Sequence, residues 1–329
     1  MPGYQPSLAS VHLDAALTNF SIAYMQDATN FVADVVFPNV PVEHKSDKYY
    51  QFNKDAFLRA GGKQTPFGQE SPGGGFALSS ESYDVGSAWR WHFDLTPDVL
   101  ANADPGVNID AAAANFVMNG LLIQREINWA TNFFSSASGW GTTVTGGTNF
   151  AVWNDDADSD PITDVSVGRQ TILTNTGYLP NTLVVSFAVH EALKKHPLIV
   201  DRFKYTSAES INEAMLARLF EVDRYVVAKA VQVTSQEGET ISTAMILGKN
   251  ALLCYSAPAP SLLAHSAGYN FVWSKLTGLN NLGVATYRFP MPWLGVANGV
   301  VTERVEAQYA YDLAMTGADL GYFFSGAST

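Results

Sequence analysis

The sequence predicts an α+β fold in which elongated elements surround a compact middle, and three observations carry that prediction. Apolar and polar residues alternate from Ser82 to Leu95 and again from Val301 to Leu313, the period-2 mark of strands with one apolar face. From about 109 to 134, apolar residues recur three and four apart, as on a long helix. Between about 163 and 274, shorter helical and strand patterns are mixed.

The composition narrows the class further. The chain has 329 residues, a formal charge of −12, 47% hydrophobic and 15% charged residues, against roughly 25% charged in an average domain. It is therefore globular and not intrinsically disordered. A chain this sparing of charge is expected to bury much of its outside against other chains. The acidic balance argues against a protein that grips nucleic acid through Lys and Arg. Residues 1–44 contain neither Lys nor Arg, which excludes a basic arm and the positive start of a secretory signal. The uncharged stretch Asn250–Ser274 is broken by Pro258 and Pro260, so no membrane span is expected. The lone Cys254 supports neither a disulfide framework nor a zinc cluster and reads as a small buried hydrophobe.

Taken in order, the first 45 residues read as an extended arm. Phe20, Ile22, Tyr24, Phe31, Val35, Val36 and Phe37 make it apolar, while Pro38 and Pro41 stop any long helix. Tyr49–Phe57 and the alternating run Ser82–Leu95 form a long hairpin, joined by a tip rich in Gly, Pro and Ser from Gly61 to Gly75. An isolated hairpin is marginal in water, so one carrying Trp89 and Trp91 on one face should dock on something. The long helix opens after Pro105–Gly106 with Asn108 as N-cap and Asp110 in its first turn. It would span roughly 39 Å, and its charged residues are Asp110, Arg125 and Glu126, so it is expected to be sandwiched. In the middle, Thr182–Ser186 reads as a buried strand, Phe187–His196 as a helix stopped by Pro197, and Ile211–Phe220 as a helix with Ser210 and Glu213 at capping-box spacing. Tyr225–Thr234 and Ala244–Leu253 read as strands. The thirteen alternating positions Val301–Leu313 exceed the usual strand of about 5–6 residues.

Enzyme motifs fall short. His190-Glu191 and His196 are six apart, whereas a zinc helix needs histidines at i and i+4, so surface histidines near a helix end are preferred. Asp156, Asp158, Asp160 and Asp164 occupy positions 1, 3, 5 and 9 of a calcium loop. Pro161 stands where the turn wants Gly and Val167 where a bidentate Glu belongs, so this metal candidate ranks below a solvated acidic loop. Phosphate-binding glycine strings and the Gly-x-Ser-x-Gly elbow are absent. No catalytic residue and no cofactor is assigned. Trp89 and Trp91 could stack a sugar, but packing against protein is the stronger reading.

Several protrusions that are unstable alone, with no convincing active site, describe a subunit completed by its neighbours. The stretches Phe31–Phe52 (FVADVVFPNVPVEHKSDKYYQF) and Asn181–Tyr205 (NTLVVSFAVHEALKKHPLIVDRFKY), with the order of elements, resemble the major capsid proteins of tailed bacteriophages, of the Hong-Kong-97-type fold. The resemblance implies an N-terminal arm (1–45), an E-loop (46–95), a peripheral domain with the spine helix (96–150, helix about 107–135), an axial domain (151–275, with some peripheral-domain strands) and C-terminal peripheral strands with a tail (276–329). It further implies hexamers and pentamers of an icosahedral or prolate head around double-stranded DNA, without sequence-specific DNA binding. A scaffolding protein, a portal and a decoration protein are the implied partners, with assembly in the host bacterial cytoplasm, no membrane, and either a separate scaffold or none. Candidates for contact between subunits are Phe31, Phe37, Arg59, Phe67, Trp89, Arg90, Trp91, Tyr309 and Tyr311. The alternatives are a hydrolase with an unrecognised site and a carbohydrate-binding surface protein using Trp89 and Trp91.

Overall fold

Burial on both faces defines the centre of the molecule. The computed structural model describes residues 26–52, 54–101, 109–204, 211–261, 264–275, 284–297 and 300–329. Its largest sheet has five strands in the order Thr142–Thr145, Gly321–Ser325, Ala251–Cys254, Thr182–Ser186 and Arg224–Ala228. The two outer pairings are parallel and the two inner ones antiparallel. Leu183, Val185, Leu253 and Phe324 point to one face, where the helices Pro161–Thr176, Phe187–Lys195, Pro197–Phe203 and Glu213–Leu219 supply Val165, Ile172, Val189, Leu193, Ile199 and Leu216. Val184, Leu252, Cys254 and Phe323 point to the other face, against Val36, Phe37, Trp129, Phe134 and Trp140. A strand covered on both sides must be apolar at consecutive positions, which is why Thr182–Ser186 reads as an unbroken run.

The helix Ile109–Phe133 leaves this core and lies across a second sheet, ordered Val284–Ala297, Val300–Tyr309, Trp89–Leu95. Ala113, Val117 and Leu121 face Leu95, Val305, Ala307 and Tyr309 there. A third sheet joins Asn39–Val42, parallel, to Tyr269–Trp273, which pairs antiparallel with Tyr311–Ala314. The hairpin Ser46–Phe52 with Leu78–Asp84 springs from this sheet. Its root is fixed by Tyr49 and Tyr83, whose rings lie 5.4 and 4.7 Å from that of Phe271.

Several expectations are corrected. The run Ser82–Leu95 is two strands in different sheets: Leu78–Asp84 closes the hairpin, and Trp89–Leu95 pairs with Val300–Tyr309. The break falls at Val85–Ala88, just past the last hairpin rung, Val85 N–H to Lys45 C=O at 2.9 Å. Likewise Val301–Leu313 divides at Ala310, a small buried residue where the chain passes from one sheet to the next. Period 2 continues through both crossings because each sheet has one covered face. Tyr49–Phe57 is a strand to Phe52 followed by a short helix Lys54–Phe57. Tyr225–Thr234 separates into Arg224–Ala228 and Val231–Val233, and Ala244–Leu253 into Thr243–Met245 and Ala251–Cys254. The arm from residue 26 on is no loose limb, because Phe31, Val32, Ala33, Val36 and Phe37 are core residues of their own subunit. Phe37 sits over Gly268, where a Cβ would lie 2.4 Å from its ring. Asn212 caps Glu213–Leu219, accepting from Met215 N–H. Residues 1–25, Pro105–Gly106, Asn108 and Ser210 lie outside the described residues.

The helix Pro161–Thr176 begins where the acidic loop read as a calcium candidate ends, and takes Asp164 into its first turn. Asp160 is its N-cap, accepting from Ile162 and Thr163 N–H, Pro161 is its first residue, and Gly177 closes it at φ 78°. Pro161, which spoiled the calcium pattern, is what a helix start prefers.

Candidate assembly surface

The predicted contact residues divide into two groups by burial. Phe31, Phe37, Tyr309 and Tyr311 are 5, 0, 1 and 7% exposed, sealed within their own subunit, and they correct the expectation that they reach a neighbour. Phe37 packs against Trp129, Phe133 and Trp140. The Tyr309 and Tyr311 hydroxyls accept hydrogen bonds from Arg125 and Asn128, both at 2.9 Å.

The other group faces outward. Arg59 and Arg90 are exposed, and Phe67 at the hairpin tip is fully so. Trp89 and Trp91 remain nearly half exposed on the strand beside the long helix. Trp91 packs on Phe116, ring to ring at 6.3 Å, and over Gly120; Trp89 stacks on Tyr311 at 6.4 Å. Both indoles are thus held against protein on one face and open on the other. Along the hairpin the structure adds Tyr50, Phe57, Leu58, Phe76 and Leu78, all exposed, and Phe116 on the helix. Sequence reading missed these because the tip has no periodicity. The available signal was large apolar residues inside a Gly/Pro-rich segment, where glycines 61, 62, 73, 74 and 75 have nothing within 4 Å of an added Cβ.

The acidic candidates do not gather. Asp156 and Asp158 are exposed, while Asp164 accepts from Trp153 Nε1–H at 2.9 Å. Burial opposes ionisation of Asp160, but bonds from Thr163 and Ile162 outweigh it and lower its carboxyl. Burial raises that of Asp164. Among the described residues no three His, Cys, Asp or Glu side chains group as metal ligands would. Burial pushes the Cys254 thiol up to about 12, leaving it inert as a nucleophile.

Both helix histidines are buried, which corrects their reading as surface groups. His190 Nδ1 lies 3.0 Å from the Tyr225 hydroxyl. His196 Nε2 lies 2.8 Å from Ser159 Oγ, a pair that resembles a nucleophile and its base. Ser159 donates its one proton to Asp155 C=O at 2.6 Å, so the imidazole donates to the serine. With His196 wholly buried and Ser159 at 5%, the pair braces the turn before the helix. Among the described residues no helix is long and apolar enough to cross a membrane.

These features are a set of interlocking sheets with outward apolar limbs, and the comparisons with known proteins agree. No family model matches the chain. It is 25% identical over 331 residues to the major capsid protein of Pseudomonas phage JBD67, covering 98% of this chain and 99% of that one. It is 24% identical over 254 residues to the major capsid protein of Burkholderia phage BcepMu, covering 74% and 76%. Among solved structures, a phage-related protein of Bordetella bronchiseptica RB50 superposes with TM-score 0.66 at 25% identity, covering 95% and 97%. The capsid of Cyanophage P-SCSP1u matches with TM-score 0.59 at 10% identity, covering 98% and 99%, a likeness of fold. The architecture is that of a structural shell subunit with the Hong-Kong-97-type capsid fold. The chain is thus similar, over three quarters to nearly all of its length, to phage major capsid proteins.

Proposed function

We propose that the chain self-assembles into hexamers and pentamers that close an icosahedral or prolate head around double-stranded DNA. In this reading the hairpin Ser46–Asp84 and its tip act as the E-loop and lie over an adjacent subunit. The helix Ile109–Phe133 is the spine of a peripheral domain, and the five-stranded sheet with its helices forms the axial domain at the capsomer centre. Trp89, Trp91, Arg90, Arg59 and Phe67 make contacts between subunits. The role is structural and not catalytic, the net charge of −12 suits DNA confined without adhesion, and assembly proceeds in the host cytoplasm with a scaffold and a portal.

The observation that carries this reading is the row of exposed apolar side chains Tyr50, Phe57, Leu58, Phe67, Phe76 and Leu78 on one protrusion. Fully burying one such side chain is worth roughly 1.5–3 kcal/mol, so a monomer exposing six is at a disadvantage that a lattice of copies removes. Negative-stain imaging of the purified, overexpressed chain tests it. Shells, tubes or capsomer rings are expected, and dispersed monomers at high concentration overturn it. Deleting Gly61–Gly75 should abolish these assemblies while the far-UV signature of the subunit persists.

A further inference from the structure

The root of the N-terminal arm is held by two adjacent side chains of the long helix. Glu126 is fully buried, and its carboxylate oxygens accept the backbone N–H of Val32 at 3.0 Å and of Ala33 at 3.1 Å. These amides open the turn Ala33–Val36, whose N-cap position is Val32, a residue with no side-chain oxygen. A glutamate more than ninety residues away therefore supplies the cap. Beside it, Arg125 pairs with Asp34 at 2.8 Å and donates to the Tyr309 hydroxyl at 2.9 Å. That hydroxyl also accepts from Asn270 Nδ2 at 3.0 Å, and Asn270 in turn donates to Asn39 Oδ1. The charged groups acting on Glu126 are Arg125 from its own helix and Asp34 from the arm. From the strand Val300–Tyr309, the Tyr309 phenol faces Arg125.

We propose that Glu126 is a proton-linked fastener, which holds the arm root Phe31–Phe37 on the long helix in acidic solution and loosens it as the solution becomes neutral and then alkaline. The arm contributes the burial itself, since Val32 and Ala33 cap both carboxylate oxygens. Once the arm lifts, water reaches those oxygens and the group returns to an ordinary carboxylate. With the arm seated, burial raises the Glu126 carboxyl to about 7, although the bonds from Val32 and Ala33 and the charge of Arg125 pull the other way. The seated state thus binds the proton more tightly than the lifted one. Linkage then fixes the sign: seating is fully supported below about 4.5 and loses that support as pH rises through about 7. A protonated carboxyl keeps its carbonyl oxygen as an acceptor for one amide. An ionised one must hold a buried charge with Arg125 already shared between Asp34 and Tyr309.

Hydrogen exchange on the purified full chain tests the fastener. The protection factors of the Val32 and Ala33 amides, corrected for intrinsic rates, should fall at least about tenfold between pH 5.5 and 8.5. Those of Val184 and Leu252 in the five-stranded sheet should stay level. Glu126→Gln, a neutral isostere with one acceptor oxygen, should remove the pH dependence of the protection of both arm amides. A level wild-type profile overturns the proposal, and so does a Glu126→Gln profile that follows the wild type. Should that variant fail to fold, Asp34→Asn decides. Removing the Asp34 charge lowers the proton affinity of Glu126 and releases Arg125 toward it, so the loosening midpoint must move to lower pH. An unmoved midpoint refutes the linkage.

Discussion

The five-stranded sheet and the hairpin Ser46–Asp84 draw on similar apolar residues and end in opposite states. In the sheet, Val184, Leu252 and Phe323 are wholly buried between a helical layer and the arm root. On the hairpin, Tyr50, Phe57, Leu58, Phe67, Phe76 and Leu78 stand in solvent beyond a root of three stacked rings. The sheet is complete within one chain, whereas the hairpin leaves its large apolar side chains uncovered. If the hairpin docks on a second chain as proposed, what keeps a subunit folded and what joins subunits should be separable by mutation.

The strongest way to break that contrast is to open the sheet. Phe323 meets Phe134 edge-on at 5.4 Å and lies in the cluster with Val184 and Leu252. Phe323→Ala should cost about 3–5 kcal/mol of subunit stability, read as a lower denaturant midpoint, with assembly lost as a consequence. Phe67→Ser, by contrast, should leave the midpoint within about 0.5 kcal/mol while shell yield falls in sedimentation. If Phe67→Ser destabilised the subunit as Phe323→Ala does, the hairpin would be part of the folding core and the contrast would fail.

How much of this was legible in the sequence follows the same division. Thr182–Ser186 and the helix Ile109–Phe133 were readable because burial imposes a run or a stripe, and their limits fell within a residue or two. Pairing was not readable: Trp89–Leu95 continues the hairpin's alternation yet belongs to another sheet, because period 2 records a covered face and not the identity of the neighbour. The inward placing of Phe37 was missed because its cover comes from Trp129, Phe133 and Trp140, about a hundred residues away. The helix Pro161–Thr176 was missed although Asp160-Pro161 announced it, since the spaced aspartates were weighed as a solvated loop against a calcium site and never as a cap.

That cap offers a smaller test within the well-packed half. Asp160 accepts from Ile162 and Thr163 N–H, so Asp160→Ala leaves both amides without their partner. A loss of about 1 kcal/mol is expected, while Asp160→Asn should retain most of it because its amide oxygen still accepts. The carboxyl of Asp160 is lowered, so this contribution is present at neutral pH and lost as the solution is acidified through its lowered value. Thermal melts of the two variants across pH 3–7 separate the cap from a metal role, which would instead make stability depend on added calcium.

The smallest effect on stability bears most directly on how the hairpin is poised. The short helix beyond its first strand is tied to the body by an ion pair between Lys54 and Asp319, both about half exposed. An exposed pair is worth roughly 0–1 kcal/mol and is screened by salt, so Lys54→Ala should barely move the denaturant midpoint. The pair is nevertheless expected to steady the tip, because the hairpin's root is anchored at Phe271 and glycines 61, 62, 73, 74 and 75 beyond Lys54 have nothing within 4 Å of an added Cβ. Spin labels on Phe67 and on an exposed site of the helix Pro161–Thr176 should give a distance distribution that broadens in Lys54→Ala and, for the wild type, at high salt. A label pair confined to that helix and the five-stranded sheet should stay narrow under both conditions. A hairpin distance as narrow and as indifferent to salt as that pair would show apolar packing along the hairpin's length, and the boundary between folding surface and joining surface would have to be drawn further out.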